Sequence, residues 1–263
     1  MAIIADTHLH LHPAYRAGRA LIRLSQRLGG LAQAAGVPGA ARAGFLAERA
    51  AQHDFADLRD GVSALEGVTV APTPEGGALC LATPDAVLYL LAGRQIIAAE
   101  RIEVLALAME ISVPDGLPAA DTIERVLAAG GVPVLAWAPG KWWFARGRVI
   151  ADLLRRFTPE QVLLGDTTLR PLGWGEPCLM RLARRRGYGV VAGADPLPFA
   201  GDERHMGTYG TWLPGELDPQ RPVASAREAL RQSRAGARLL GRRGDPLTVA
   251  RRLWRNARAR GVL

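Results

Sequence analysis

The sequence predicts an α/β fold with one barrel-like domain. Three observations lead there: an apolar N-terminal strand that ends in histidines, several short strands within residues 66–110, and a regular alternation of helices and strands from residue 119. Such alternation is typical of parallel β/α units. Because 263 residues suffice for one barrel-sized domain and no linker interrupts them, we expect a single domain over 1–263. Its C-terminal segment, from about residue 220, is helical and arginine-rich.

The first half of the chain predicts one strand, then helices, then more strands. Residues 3–5 are apolar and begin the first strand, and residues 14–60 are rich in alanine, leucine and arginine, which favours helices. The clearest of the following strands are residues 67–71, 86–91 and 102–107.

The second half alternates in a regular way. We expect helices at about 119–129, 148–157 and 176–186, and strands at 132–137, 161–165 and 189–193. In a barrel of such units the carboxyl ends of the strands meet at one rim, where functional sites lie. Trp137, Asp166 and Asp195 follow strands, so we expect them to lie near His8 and His10.

Asp6, His8 and His10 form the most informative motif. Alternate side chains of a strand share one face, so these three are expected to point the same way. Two neighbouring imidazoles can bind one metal ion, and a carboxylate can orient a ring by accepting its other N–H. The alternative is a polar strand end with solvated histidines.

The charge of the chain has a plain explanation. The net charge is +8, yet Lys141 is the only lysine, and abundant alanine, glycine and arginine are typical of codon bias. The C-terminal arginines predict a solvated helix face, so a nucleic-acid partner is not expected. No apolar run reaches the roughly 18 residues of a membrane span, and no signal-type segment opens the chain. These observations favour a cytoplasmic protein. Cys80 and Cys178 are expected to be free thiols.

Four segments together resemble the PHP (polymerase and histidinol phosphatase) family. They are the D-x-H-x-H strand at Asp6, a glycine-rich strand near residue 93, the G-G-V-P-V-L-A strand at 130–136 and the G-x-D-P segment at Asp195, and the resemblance covers about residues 2–215. It implies a distorted, TIM-like (β/α)7 barrel. It also implies hydrolysis of phosphoesters with the help of zinc, manganese or iron ions, of which family members use up to three.

The resemblance also implies a ligand set, and part of that set is replaced here. His8, His10 and Asp195 are kept, and Glu103 falls where the family has a histidine and is a possible fourth ligand. Arg49 and Trp137 also replace family histidines, and Gln95 replaces a bridging glutamate. The remaining donors suffice for one ion but not for three. We therefore expect about one divalent ion per chain, or none.

The remaining candidate residues fall into two groups. An anionic substrate could be held by cationic, polar and aromatic side chains, because guanidinium groups bind phosphate or carboxylate in a bidentate manner; these candidates are Arg49, Gln95, Trp137, Lys141 and Arg170. For the cations, ordinary surface exposure is the alternative. The candidate catalytic carboxylates are Asp6, Asp166 and Asp195. For Asp166, capping the N-terminus of the following turn is an equally good alternative to a catalytic role.

Two functions follow from the sequence. The first is a PHP-like metal-dependent hydrolase, with phosphoesters as the expected substrates because of the resemblance. The second is a catalytically inactive PHP-like barrel that binds an anionic small molecule or a protein partner. The losses among the family's ligands favour the second, whereas the retained Asp6, His8 and His10 favour the first. The substrate and the oligomeric state stay open.

Overall fold

The computed structural model describes residues 2–110, 112–259 and 261, without the side chains of residues 235 and 236. Within this part of the chain there are twelve strands and seven α-helices. The strands are β1 Ala2–Leu9, β2 Ala41–Leu46, β3 Thr69–Pro72, β4 Ala78–Ala82, β5 Val87–Leu91, β6 Gly93–Ile97, β7 Glu103–Leu107, β8 Val132–Ala136, β9 Leu163–Thr167, β10 Val190–Gly193, β11 Tyr209–Pro214 and β12 Arg238–Gly241. The helices are α1 Ala17–Ala34, α2 Asp54–Arg59, α3 Ala119–Ala128, α4 Phe144–Arg156, α5 Cys178–Arg185, α6 Pro222–Gly236 and α7 Pro246–Ala259.

The strands form two mixed sheets. The larger has the order β12-β11-β1-β2-β5-β4-β3, and the smaller has the order β10-β9-β8-β7-β6. Strands β1, β2 and β5 run parallel, as do β8, β9 and β10, and the remaining neighbours are antiparallel. The carboxyl ends of β8, β9 and β10 therefore lie on one edge of the smaller sheet, together with the beginning of the antiparallel β7.

The two sheets face each other across one core. Ile3 and Phe45 of the larger sheet pack in the same buried cluster as Val134 and Val191 of the smaller sheet, and α6 adds Leu230 to it. Helices α3, α4 and α5 cover the outer face of the smaller sheet, and α1 covers that of the larger. This burial of apolar faces on both sides of each sheet is the main stabilising contribution.

Hydrogen bonds beyond the strands join the sheets at both edges. At one edge the Asp195 amide donates to the His8 carbonyl (3.0 Å) and the Ala194 amide donates to the Asp6 carboxylate (2.9 Å). At the other edge the Glu48 amide donates to the Gly93 carbonyl (3.1 Å), and the Gln95 amide donates to the Glu48 carbonyl (2.8 Å).

The architecture differs in part from the expectation. The mixed α/β class and the parallel β8–β9–β10 units are confirmed. The described residues contain no closed barrel, because β1 takes β11 as its second ladder partner and forms no strand ladder with β10, although the two strands are in contact. Strand β2 was expected to be helical. Its alanine, arginine and glycine have little intrinsic strand propensity, but burial between β1 and β5 outweighs propensity.

Two compositional expectations can be checked against the structure. Cys80 and Cys178 are both free thiols. Among the described helices, none combines the length and the apolar character that crossing a bilayer requires.

The joint at Glu48 predicts a pH dependence of stability. Burial raises the pKa of Glu48 to about 7, although the Phe55 amide donates a hydrogen bond to its carboxylate. Between the ordinary glutamate pKa and about 7, the folded protein binds a proton that the unfolded chain releases. The free energy of unfolding should therefore fall as the pH rises through this range.

The variant Glu48→Gln should reduce this pH dependence, because the amide keeps an oxygen for the Phe55 N–H but cannot ionise. Urea unfolding at pH 5 and pH 8 measures the effect. The loss of stability between the two pH values should be smaller in Glu48→Gln than in the wild type, whereas the exposed Glu216→Gln should behave like the wild type. Equal losses in all three proteins would contradict the prediction.

Candidate metal centre

Strand β1 and the residue that follows it bring two histidines to the place where the sheets meet. The pairing of β1 with β2 is irregular between Asp6 and Leu9, and such bulges re-aim side chains at strand ends. His8 is 2% exposed and His10, just beyond the strand, is 1% exposed. Both rings thus lie within the protein, contrary to the alternative of solvated histidines.

Four polar atoms converge at this point. The Nε2 atoms of His8 and His10 are 3.2 Å apart, and the Oδ1 atom of Asp195 is 3.6 Å from the first and 3.7 Å from the second. The Oε1 atom of Gln95, on β6, is 3.1 Å from Nε2 of His8. One imidazole nitrogen offers a single hydrogen or a single lone pair, so hydrogen bonds alone do not account for three polar neighbours around His8 Nε2.

This donor set fits one divalent ion. Donors that bind an ion tetrahedrally at about 2.0–2.1 Å lie roughly 3.3 Å from one another, close to the spacings found here. Two imidazoles, a carboxylate and an amide oxygen supply one negative charge, which suits a single ion. The set does not suit three ions, since Gln95 has no charge with which to bridge them. The second nitrogen of the His10 ring lacks the hydrogen bond that usually orients a metal-binding histidine. This atom, Nδ1, is buried and has no hydrogen-bond partner among the described residues.

Burial acts on the ionisation of both central groups, and at His10 it favours binding of a cation. Burial lowers the pKa of His10 well below its ordinary value, and the nearby charges of His8, His12 and Arg49 lower it further. His10 is therefore neutral and keeps a lone pair for a ligand. Burial raises the pKa of Asp195, and this effect is opposed by His8, Arg252 and Arg49.

Asp195, the second residue after β10, occupies a strained backbone conformation. Its φ is 48°, in the left-handed region that residues other than glycine seldom adopt. Its amide is bonded to His8, and its carbonyl accepts a hydrogen bond from Nη2 of Arg252 (3.2 Å). Strain of this kind persists only where the surroundings impose it. The two bonds therefore hold the carboxylate against the histidines.

Arg252 is a structural residue that the sequence did not single out. It lies on α7, is 2% exposed, and its guanidinium binds the Asp202 carboxylate through Nε and Nη2, each at 2.8 Å. Its Nη1 donates to the Thr168 hydroxyl (2.8 Å). The sequence placed Arg252 on a solvated helix face. Its position three residues after the buried Val249 was the only available signal, and exposed arginines surround it.

Asp6 stabilises the joint and does not face the histidine cluster. Its Oδ1 accepts hydrogen bonds from the amides of His8 (3.2 Å) and Ala194 (2.9 Å), and its Oδ2 accepts one from Gly207 (2.8 Å). Burial raises its pKa to about 7, against the effect of these amides. The carboxylate therefore connects β1 to two other segments, and this structural role accounts for its burial, whereas the catalytic role expected from the sequence stays a prediction.

Glu103 and Lys141 bind each other. Glu103 begins β7, and its Oε1 is 2.9 Å from Nζ of Lys141. Its charge raises the pKa of Asp195, so the ion pair borders the centre. Glu103 nevertheless does not belong to the group of metal-ligating atoms that His8, His10 and Asp195 form among the described residues. The structure thus pairs these two residues with each other, and the ligand and anion-binding roles expected for them stay predictions.

Asp166 and Arg170 are likewise engaged with each other. The Arg170 guanidinium makes a two-bond ion pair with Asp166, and the Tyr209 hydroxyl donates to the same carboxylate (2.8 Å). Asp166 is 1% exposed and Arg170 is 6% exposed. Neither the base expected at Asp166 nor the anion-binding cation expected at Arg170 is available in this arrangement.

Arg49 lies close enough to the candidate metal centre to affect its ionisation, whereas Trp137 packs away from it. The charge of Arg49 lowers the pKa of both His10 and Asp195. Its guanidinium is half-buried, and within the described part of the chain it makes no hydrogen bond or ion pair. Trp137 follows β8 and packs with Leu135 on the outer, helix-covered face of the smaller sheet. It therefore does not take the place that the resemblance implied for it.

Comparisons with known proteins add information on the fold. No protein-family model matches the chain, and no curated protein sequence matches it. PsfC from Pseudomonas syringae PB-5123 has a similar structure, with a TM-score of 0.51 and 15% sequence identity over 88% of this chain and 98% of PsfC. This similarity shows a shared fold and does not extend to function.

Two further solved structures match more loosely. One is a two-domain protein from Bacteroides vulgatus ATCC 8482 described as containing a predicted PHP-like metal-dependent phosphoesterase, with a TM-score of 0.47 and 13% identity over 98% of this chain and 70% of that one. The other is the lesion-specific endonuclease PfuEndoQ from Pyrococcus furiosus, with a TM-score of 0.48 and 10% identity over 91% of this chain and 58% of that one.

Proposed function

We propose that this protein is a PHP-like phosphoester hydrolase with one divalent metal ion, on a distorted barrel whose two edges meet at the histidines. One observation carries the proposal: the facing Nε2 atoms of His8 and His10, 3.2 Å apart and both close to Oδ1 of Asp195. Gln95 completes the donor set. An ion bound there would polarise a phosphoryl oxygen and favour deprotonation of a water molecule.

Arg49 supplies the charge complementary to an anionic substrate. Its guanidinium lies within electrostatic reach of His10 and Asp195 and has no acidic partner among the described residues. A planar guanidinium can donate two parallel hydrogen bonds to a phosphate. Arg49 would thereby bind the substrate and stabilise the negative charge that develops during hydrolysis.

Asp195 is our candidate for the proton acceptor. Its Oδ1 faces the histidines, and no described residue donates a hydrogen bond to its Oδ2. A carboxylate oxygen that accepts no other hydrogen bond can take a proton from a neighbouring water molecule. Asp166, the other base expected from the sequence, uses both oxygens for Arg170 and Tyr209.

Metal content is the first test of this proposal. Protein purified without chelators or affinity-tag metals should contain about one zinc, manganese or iron ion per chain by elemental mass spectrometry. The double variant His8→Ala/His10→Ala should lose the ion, and the exposed His53→Ala should keep it. If the wild type takes up no ion after dialysis against each metal, the proposal is wrong, and His8, His10 and Asp195 serve packing alone.

Hydrolysis of p-nitrophenyl phosphate and bis(p-nitrophenyl) phosphate is the second measurement of the same experiment. Arg49→Gln should lower kcat by about 100-fold, the usual cost of removing one group that stabilises transition-state charge. Arg16→Gln, an exposed arginine of a neighbouring loop, should be unaffected. A protein that binds its ion tightly but hydrolyses neither ester would support the alternative of an inactive barrel that binds an anionic ligand.

A further inference from the structure

The loops that follow β8 and β9 enclose a pocket that shares no lining residue with the candidate metal centre. Its volume is about 530 Å³, within the range of small-molecule sites. Four of the six tryptophans of the protein line it, namely Trp137, Trp142, Trp143 and Trp174. Such a concentration of indoles in two loops calls for an explanation beyond core packing.

Two of these indoles are open to solvent. Trp143 is 44% exposed and Trp174 is 41% exposed, and their rings are stacked at an interplanar angle of 30° with centroids 6.0 Å apart. Trp137, which is buried, packs edge to face against Trp174 with ring centroids 6.0 Å apart. A stacked pair of indoles that are partly open to solvent can be extended by a further planar ring.

The charges at the pocket distinguish between two classes of ligand. The carboxylate of Glu176 is paired with Arg184, at 3.2 Å. Arg181 also lines the pocket, and no described acidic side chain pairs with it. Indole faces attract cations as well as planar rings, but the uncompensated charge of Arg181 repels a cation. It attracts an anion.

We infer that this pocket binds a planar heteroaromatic ring that carries an anionic group, which is the chemistry of a nucleotide. The ring stacks on Trp143 and Trp174, and the anionic group approaches Arg181. Stacking on aromatic side chains tolerates different bases, since every base has a π-face. The inference does not depend on the metal-dependent hydrolysis proposed above, because no metal ligand lines the pocket.

Quenching of tryptophan fluorescence by adenosine monophosphate tests the stacking platform. We expect saturable quenching in the wild type. Trp174→Leu should weaken binding by about tenfold, within the usual range for loss of one base–aromatic stack. Trp254→Leu is the matched control, because Trp254 is 53% exposed but lies on α7, outside the pocket. Affinity that is unchanged in Trp174→Leu, or the absence of saturable quenching up to millimolar nucleotide, would overturn the inference.

Two further comparisons test the anionic group. Arg181→Gln should lower the affinity for adenosine monophosphate to that for adenosine, whereas Arg185→Gln, an exposed arginine of the same helix, should leave it unchanged. Tighter binding of tetramethylammonium than of the nucleotide would overturn the inference. His8→Ala/His10→Ala should bind the nucleotide like the wild type. Binding lost in that variant but kept in Trp174→Leu would place the nucleotide at the histidines and would also overturn it.

Discussion

Replacing Arg252 with methionine is expected to lower the free energy of unfolding by about 3–5 kcal/mol, the usual cost of removing one partner of a buried ion pair. Asp202 would remain buried, at 0% exposure, with its charge uncompensated. The Thr168 hydroxyl and the Asp195 carbonyl would each lose a hydrogen bond. In the described range of helix α7, Val249 is the only other buried residue, so Arg252 is one of two side chains by which the helix is anchored in the interior.

Chemical denaturation of matched variants measures this effect. Arg251→Met, on the exposed side of the same helix, should unfold at the wild-type midpoint. Arg252→Lys should recover little, because one ammonium group cannot replace the planar fork that binds Asp202. In Arg252→Met/Asp202→Asn the uncompensated charge is gone, and part of the stability should return. A wild-type midpoint in Arg252→Met would show that the network does not stabilise the fold.

Gly193→Ala is the second change with a large expected effect. A β-carbon at Gly193 would lie 2.3 Å from the His8 amide nitrogen, 2.6 Å from the His8 Cβ and 2.7 Å from Oδ1 of Asp6. These distances are too short for non-bonded atoms, and backbone atoms within a strand cannot shift individually to relieve them. Strand β10 would therefore have to move away from β1. Overpacking of this kind commonly costs about 1–3 kcal/mol. It would also separate Asp195 from the two histidines.

Two measurements on Gly193→Ala distinguish these consequences. Thermal unfolding reports the loss of stability, and calorimetric titration of zinc into the folded variant reports the loss of the donor set. Gly39→Ala is the control, since a β-carbon there would meet no atom within 4 Å. A variant that keeps both the wild-type stability and the wild-type zinc affinity would mean that the close approach of β10 to β1 is not required.

The accuracy of the sequence predictions depended on how local each signal was. The N-terminal strand with His8 and His10 follows from alternation within a few residues, and the β8–β9–β10 units follow from a repeated helix–strand order. Residue Asp195 was expected at a strand end, and it is the second residue after β10. These patterns could be predicted because the spacing of apolar residues along the chain indicates which face of a helix or strand is buried.

Ion pairs and hydrogen bonds between side chains far apart in the sequence could not be predicted from such local patterns. Glu103 and Lys141 each had a reasonable functional interpretation, as a metal ligand and as an anion-binding cation. In the structure they neutralise each other across 38 positions of the chain, since an antiparallel β7 brings its beginning to the end of β8. Asp166 and Arg170 lie only four residues apart, but Tyr209 of a distant strand completes their contact.

The sequence by itself therefore determined the mixed α/β class, the histidine-bearing first strand and the placement of Asp195 after a late strand. The tertiary structure alone decided that the strands form two sheets, that Asp6 bonds to three backbone amides, and that Arg252 is buried. The physical reason is that hydrophobic patterning specifies which side chains leave water. The partners that satisfy a buried charge are fixed by contacts between segments far apart in the chain.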